Sequence, residues 1–218
     1  MIQPAVSMAK RFRGFLPVVV DIETAGFHFH KDAILEIAAV LLEMDDTGRL
    51  VPGETVAVHV EPFEGANLDR DALEFTGIDP YHPFRFAKPE KEALTSIFDA
   101  VDNAVKAQQC QRAVLVGHNP MFDISFLLAA IRRTKVKNPF HKFTTFDTAT
   151  LGGLAFCQTV LAKACRAAKI PFDTKQAHSA IYDAERTAEL FCMIVNRAEF
   201  PVEPPPETTS ASNQDTNE

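Results

Sequence analysis

Residues 15–24 read FLPVVVDIET, an apolar run from Phe15 to Val20 that passes directly into Asp21 and Glu23. An uninterrupted apolar run of this length, closed by polar residues, predicts a buried strand over about 16–23. Residues two apart on a strand share one face, so Asp21 and Glu23 stand side by side. Adjacent carboxylates repel one another unless a divalent cation neutralises them. Hard oxygen ligands of this kind suit Mg²⁺ or Mn²⁺ far better than zinc.

Two further stretches extend the pattern. Asp123 closes GHNPMFD, after a short strand candidate at Ala113–Val116 and before the apolar run Ile124–Ile131, which places it near a helix start. His178 and Asp183 lie five residues apart in HSAIYD. On a regular helix that spacing leaves them roughly 140° out of register, so they do not share a helix face. The expected geometry puts His178 on a loop entering the last helix and Asp183 on the helix itself. A mobile base would then stand above a fixed set of carboxylates.

Outward from these motifs, strands are predicted at 33–43 and 54–61, with turns at 44–48 and 51–53, as an antiparallel meander. Shorter strands follow at 113–117 and 143–147. Helices are predicted at 68–76, 90–109, 121–134, 157–168 and 179–197. Strands alternating with helices imply an α/β fold with a mixed sheet flanked by helices. The expected domain is 1–200. The remaining stretch, PVEPPPETTSASNQDTNE over 201–218, is acidic and rich in Pro, Ser and Thr, and reads as a disordered tail.

Composition excludes several classes. A chain of 218 residues supports one substantial core. Its apolar runs are too short to span a bilayer, and the N-terminal basic residues precede a run that ends in the candidate site rather than in a cleavable signal. No membrane partner and a cytoplasmic location are the expectation. Cys110, Cys157, Cys165 and Cys192 lack metal-ligand spacing and read as structural. The net charge is −7, but the stretch from 201 carries four acids and no base, leaving −3 over residues 1–200. Basic residues gather as Lys10, Arg11 and Arg13; as Lys106 and Arg112; and as Arg132, Arg133, Lys135 and Lys137, with Lys142 beyond. Such clusters supply phosphate affinity whatever the net charge, although each taken alone also fits an ordinary solvated face. Asp147 in TTFDT is either a contact to substrate or a helix N-cap.

In the order DIET, HNPMFD and H-x-x-x-Y-D, the chain resembles the DEDDh family of 3′-to-5′ exonucleases. The longer stretches RFRGFLPVVVDIETAGF, DAILEIAA, EFTGIDP, NPFHKFTTFDTATLGGLA and AHSAIYDAERTAELFCMIVNR resemble its ribonuclease T branch, from about residue 10 to about 198. The resemblance implies a ribonuclease H-like fold and hydrolysis of the 3′-terminal phosphodiester with two Mg²⁺, replaceable by Mn²⁺, held ~3.5–4 Å apart. Asp21, Glu23 and Asp183 would hold one ion and Asp21 with Asp123 the other, with His178 as general base. It further implies that Phe27, Phe75, Phe122 and Phe143 stack on terminal bases. Asp71 stands where glutamate is expected, with a shorter arm.

A homodimer is implied as well, in which basic residues of one subunit (Arg11, Arg13, Lys106, Arg112 and Lys137 are candidates) feed RNA into the other. The implied substrates are single-stranded 3′ ends of structured RNAs, such as tRNA CCA ends and the trailers of stable RNA precursors, with single-stranded DNA ends as a further substrate. An oligoribonuclease, a polymerase proofreading subunit and a non-catalytic nucleic-acid-binding module carry or could inherit the same motifs, and stay open at this level.

Overall fold

The computed structural model describes residues 7–197. Its frame is a five-stranded sheet in the order β3-β2-β1-β4-β5. The strands are β1 (Phe15–Thr24), β2 (Ile34–Met44), β3 (Leu50–His59), β4 (Arg112–Gly117) and β5 (Phe140–Asp147). β1 is central, antiparallel to β2 and parallel to β4. Its consecutive residues Leu16, Pro17, Val18, Val19 and Val20 are all buried, as a strand covered on both faces requires. The mixed α/β architecture expected from the sequence is therefore what forms.

Helices α1 (Arg70–Thr76), α2 (Glu90–Ala107), α3 (Met121–Thr134), α4 (Thr148–Phe156), α5 (Leu161–Ala167) and α6 (Ala180–Arg197) surround the sheet. α6 packs on β1, β2 and β3 through Ala180, Ala184, Ala188 and Phe191, a buried stripe at helical spacing. Three alanines in that stripe let the helix approach the strands closely, which brings Asp183 to the sheet. α2 packs against β1 to β4, and α3 against β1 and α2.

Two expectations need correction. The predicted turn at 51–53 lies inside β3, where Val51 pairs with Glu43 and Pro52 with Leu42. A register shift between Val40 and Leu42 sets Gly53 and Glu54 against Leu41 alone, a bulge in β3, and the backbone passes so close at Gly53 that a Cβ there would lie 2.5 Å from the Leu41 carbonyl oxygen. β3 is an edge strand, where a proline costs little. The second is the helix predicted at 157–168. It forms as α5 but starts only at Leu161, and it is preceded by a helix not expected there, α4, which closes at Cys157, its C-cap at φ 55°. Gly152 and Gly153 weakened the helical signal of α4. Asp147 is its N-cap, accepting from the backbone N–H groups of Ala149 and Thr150.

The tail expected over 201–218 lies outside the described residues, as do the last residues of the expected 1–200 domain. All four cysteines are free, with Cys165 and Cys192 buried. Among the described residues no helix is long and apolar enough to cross a membrane.

Candidate active site

The C-terminal half of β1 presents Asp21 and Glu23, with Ile22 buried between them. The Ile22 backbone N–H donates to Asp123 Oδ1 at 3.2 Å, so the first turn of α3 is tied to β1 between the two acids. α3 begins directly after the Gly117–Pro120 turn, which is how a motif a hundred residues away reaches β1. From the other side, α6 delivers Asp183. His178 stands on the loop before α6, as expected, in a left-handed conformation at φ 68°. Its backbone N–H donates to Asp183 Oδ2 at 3.0 Å.

All five residues line one open cavity of about 380 Å³, together with Phe27, His118, Asn119 and Phe122. Side-chain ligand atoms of Glu23, His178 and Asp183 lie within 4.8 Å of one another. The sequence-predicted carboxylates and histidine are thus brought together from three separate regions of the chain. His118, which the sequence reading did not assign, is anchored beside them, with Nδ1 3.0 Å from Thr148 Oγ1 and Nε2 2.8 Å from the Thr159 carbonyl oxygen. Its place in the same heptad as Asp123 was the available signal.

The electrostatics are those of crowded acids. Burial, then repulsion from Asp123, Glu23, Asp183 and Glu36, holds the Asp21 carboxyl well above its ordinary range. Glu23 is pushed up to about 8 by burial and by Asp183, Glu36 and Asp123. Burial raises Asp123 to about 7 against the hydrogen bond from Ile22. Burial also raises Asp183, opposed by the hydrogen bond from His178 and the proximity of His178 and His118. Asp183 Oδ1 is buried without a hydrogen-bond partner. An orphaned carboxylate oxygen in a residue that shares its cavity with three other acids is the arrangement a divalent cation satisfies, and the oxygen-rich donor set fits a hard ion.

A second cavity of about 550 Å³ adjoins the first and shares Ile22, Glu23, Phe27 and Phe122 with it. Asp69, Asp71, Phe75 and Thr76 line its far side from α1. Phe27 and Phe75 are 80% and 68% exposed, which core packing does not explain. Phe27 meets Phe122 at 6.2 Å, and the Phe75 ring lies 4.4 Å from that of His178. Phe122 also packs against Phe126 in the core, so it serves both cavity and core. Phe143, on β5, is 90% exposed and is not among the residues lining either cavity.

The basic candidates lie elsewhere. Arg11 and Arg13 precede β1, Lys106 is in the last turn of α2, Arg112 begins β4 and Lys137 precedes β5. Phe15 and Arg112 are paired in the sheet, and the Ala113 N–H donates to the Pro139 carbonyl oxygen, so these segments converge at one end of the sheet. The carboxylates occupy the other end of β1, roughly 20–26 Å from Phe15, whereas Arg11 folds back towards α6, over the Phe12 ring that packs on Phe146 and Phe191. Arg133, counted with the basic clusters, is instead engaged within the protein: it donates to Glu90 at 3.1 and 2.5 Å and lies 4.0 Å over the Phe63 ring.

Known proteins resemble this chain in sequence and in fold. The exonuclease family RNase_T matches residues 18–191. The chain is 62% identical over 191 residues to ribonuclease T of Marinobacter nauticus, covering 87% of this chain and 86% of that one. It is 60% identical over 196 residues to ribonuclease T of Hahella chejuensis, covering 89% and 90%. Among solved structures, E. coli exonuclease I in complex with a dT13 oligonucleotide superposes with a TM-score of 0.65 at 18% identity. That match covers 84% of this chain and 41% of the exonuclease I chain, so the shared part is the fold of this domain.

Proposed function

The chain belongs to the RNase T family of exonucleases, and we propose that this 3′-to-5′ exoribonuclease trims the single-stranded 3′ ends of structured RNAs, including tRNA CCA ends and the 3′ trailers of stable RNA precursors. The observation that carries the reading is the continuity of the two cavities. Carboxylates and a histidine line one, and exposed phenylalanines line the other, with Glu23, Phe27 and Phe122 common to both.

The division of labour follows from that geometry. Phe27, Phe75 and Phe122 hold the terminal bases by stacking, worth ~1–3 kcal/mol per base and indifferent to base identity. The terminal phosphodiester then falls among Asp21, Glu23, Asp123 and Asp183. These four would hold two Mg²⁺, for which Mn²⁺ can substitute. Divalent cations, when bound, supply the Lewis acidity that phosphodiester hydrolysis needs. His178, adjacent to Glu23 and Asp183, accepts the proton of the attacking water. Stacking on phenylalanines takes bases whose faces are free, as in a single strand, so trimming halts near a duplex junction. Single-stranded DNA ends present the same stacking faces and are a further substrate.

Separation of Arg13, Arg112 and Lys137 from the carboxylate end supports a homodimer, in which these residues of one subunit, with Arg11 and Lys106, guide RNA to the other's site. A strand threaded to the carboxylates gains little from phosphate contacts roughly 20–26 Å away on the same subunit.

The test uses tRNA and a single-stranded oligonucleotide, each labelled at either end, with Mg²⁺, an EDTA control and an Asp21→Ala variant. Mononucleotide release from the 3′ end that stops near the duplex, and disappears in both controls, is expected. Action on dinucleotides alone would make the protein an oligoribonuclease, and binding without cleavage would remove the enzymatic reading.

A further inference from the structure

The structure assigns a role to Glu36 that the carboxylate cage does not include: we propose that Glu36 positions His178 by anchoring the start of α6. Glu36 lies on β2 directly opposite Glu23 on β1 and directly opposite His59 on β3. Directly opposed residues of antiparallel strands share a face, so Glu23, Glu36 and His59 form a row across three strands. Glu36 Oε2 accepts the Ala180 backbone N–H at 3.3 Å. Glu36 Oε1 lies 3.1 Å from His59 Nδ1. Both carboxylate oxygens thus have neighbours of their own, and Glu36 is not in the group formed by Glu23, His178 and Asp183.

Ala180 is the first residue of α6, two positions after His178 and three before Asp183. The opening N–H groups of a helix lack intrahelical partners, and a carboxylate there is favoured by both hydrogen bonding and the helix dipole. Usually the capping oxygen comes from the residue preceding the helix. Here one comes from the sheet, which fixes the helix start to the strand beside the catalytic acids. His178 sits in a left-handed conformation that a non-glycine residue keeps only when its surroundings hold it. Two bonds do so: its own N–H to Asp183, and Ala180 to Glu36. β2 is in turn locked at this point. A register shift follows the Glu23 and Glu36 pair, and the neighbouring Leu35 carbonyl accepts from both the Val60 N–H at 2.7 Å and Arg85 Nη2 at 2.6 Å.

This inference rests on His178 being the base, and the experiment separates the two. Rates on a 5′-labelled single-stranded oligoribonucleotide with Mg²⁺ are compared for Glu36→Ala, Glu36→Gln, His178→Ala and the Glu36→Ala/His178→Ala double variant. Glu36→Ala is expected to lower kcat about 10- to 100-fold, the size of effect a misplacement of ~1 Å produces, with KM within about threefold. Glu36→Gln recovers most of the rate, because its amide oxygen still accepts the Ala180 N–H. On the His178→Ala background, Glu36→Ala costs less than about twofold. A full additional loss on that background, a KM effect with kcat preserved, or an unaffected Glu36→Ala would overturn the proposal. Full activity in His178→Ala alone would instead remove the base assignment beneath it. Should Glu36→Ala fail to fold, Glu36→Asp takes its place, since the shorter arm withdraws the acceptor while keeping the charge.

Discussion

The backbone N–H of His178 and the Oδ2 of Asp183 are 3.0 Å apart and hydrogen-bonded, which makes the candidate base and a candidate metal ligand one mechanical unit. Asp183→Asn retains an oxygen that can accept this bond but loses the charge. Its kcat is expected to fall about 10²–10³-fold while the fold persists, the scale seen when one electrostatic element of an active site is removed. Steady-state kinetics beside circular dichroism melting check this, and a variant that melts early as it loses activity would count against it.

The crowded carboxylates make stability depend on pH in a stated direction. Asp21 and Asp183 are raised, Glu23 sits near 8 and Asp123 near 7, all above the ordinary values of ~4 for an unfolded chain. The native state binds more protons than the unfolded state between those limits, so metal-free protein loses stability as pH rises from about 4 to about 8. In EDTA, Tm is expected to fall by ~4 °C or more between pH 5 and pH 8, the equivalent of about 1–2 kcal/mol at this chain length. Mg²⁺ should raise Tm more at pH 8 than at pH 5. A metal-free Tm that climbs over this range contradicts the assignment.

Phe27 and Phe75 are exposed, so truncation tests binding with little effect on folding. Either change to Ala is expected to raise KM for a single-stranded 3′ end about 5- to 100-fold, matching ~1–3 kcal/mol of stacking, while Tm shifts by no more than about 1 °C. An unchanged KM would remove the stacking role.

Arg133 and Lys137 are four residues apart, yet their substitutions should differ in kind. Arg133→Ala strands the buried Glu90 and is expected to cost about 3–5 kcal/mol of stability with RNA affinity retained. Lys137→Ala leaves Tm unchanged and weakens RNA binding, with a shallower salt dependence. Denaturant melts and binding at two ionic strengths distinguish them.

If basic residues act across a dimer, mixing two inactive proteins restores activity. Asp21→Ala subunits and subunits carrying Arg13→Ala, Arg112→Ala and Lys137→Ala together are each expected to be impaired. Their mixed dimers place one intact basic end beside one intact carboxylate site. Recovery towards roughly a quarter of wild-type activity after subunit exchange is expected from random pairing, one working site in half of the dimers. A monomer in sedimentation analysis, or no recovery, would end this reading.

Much of this was legible in the residues themselves. An apolar run from Phe15 to Val20 has one stable fate, a strand buried on both faces, and the two-residue period then commits Asp21 and Glu23 to one side. Helical period likewise excluded His178 and Asp183 from one face of α6. Local chemistry was less reliable where tertiary contacts overrode it. Val51-Pro52-Gly53 reads as a turn, yet pairing with β2 holds it in β3, because the edge tolerates the proline and the β3 bulge at Gly53 leaves no room for a Cβ against Leu41. Gly152 and Gly153 hid α4, whose start is set by the Asp147 cap.

What spacing along a chain cannot carry is the distance between elements that meet only on folding. The sequence by itself determined which residue types could bind metal, move a proton or stack on a base, because these follow from side-chain chemistry and local period. Tertiary structure alone decided that Asp123 bonds to Ile22 across a hundred residues, that Glu36 caps α6, that Arg133 is consumed by Glu90, and that Arg112 lies at the opposite end of the sheet from the carboxylates. Those relations come from strand order and helix packing, which the long-range burial of the whole core selects rather than any local segment.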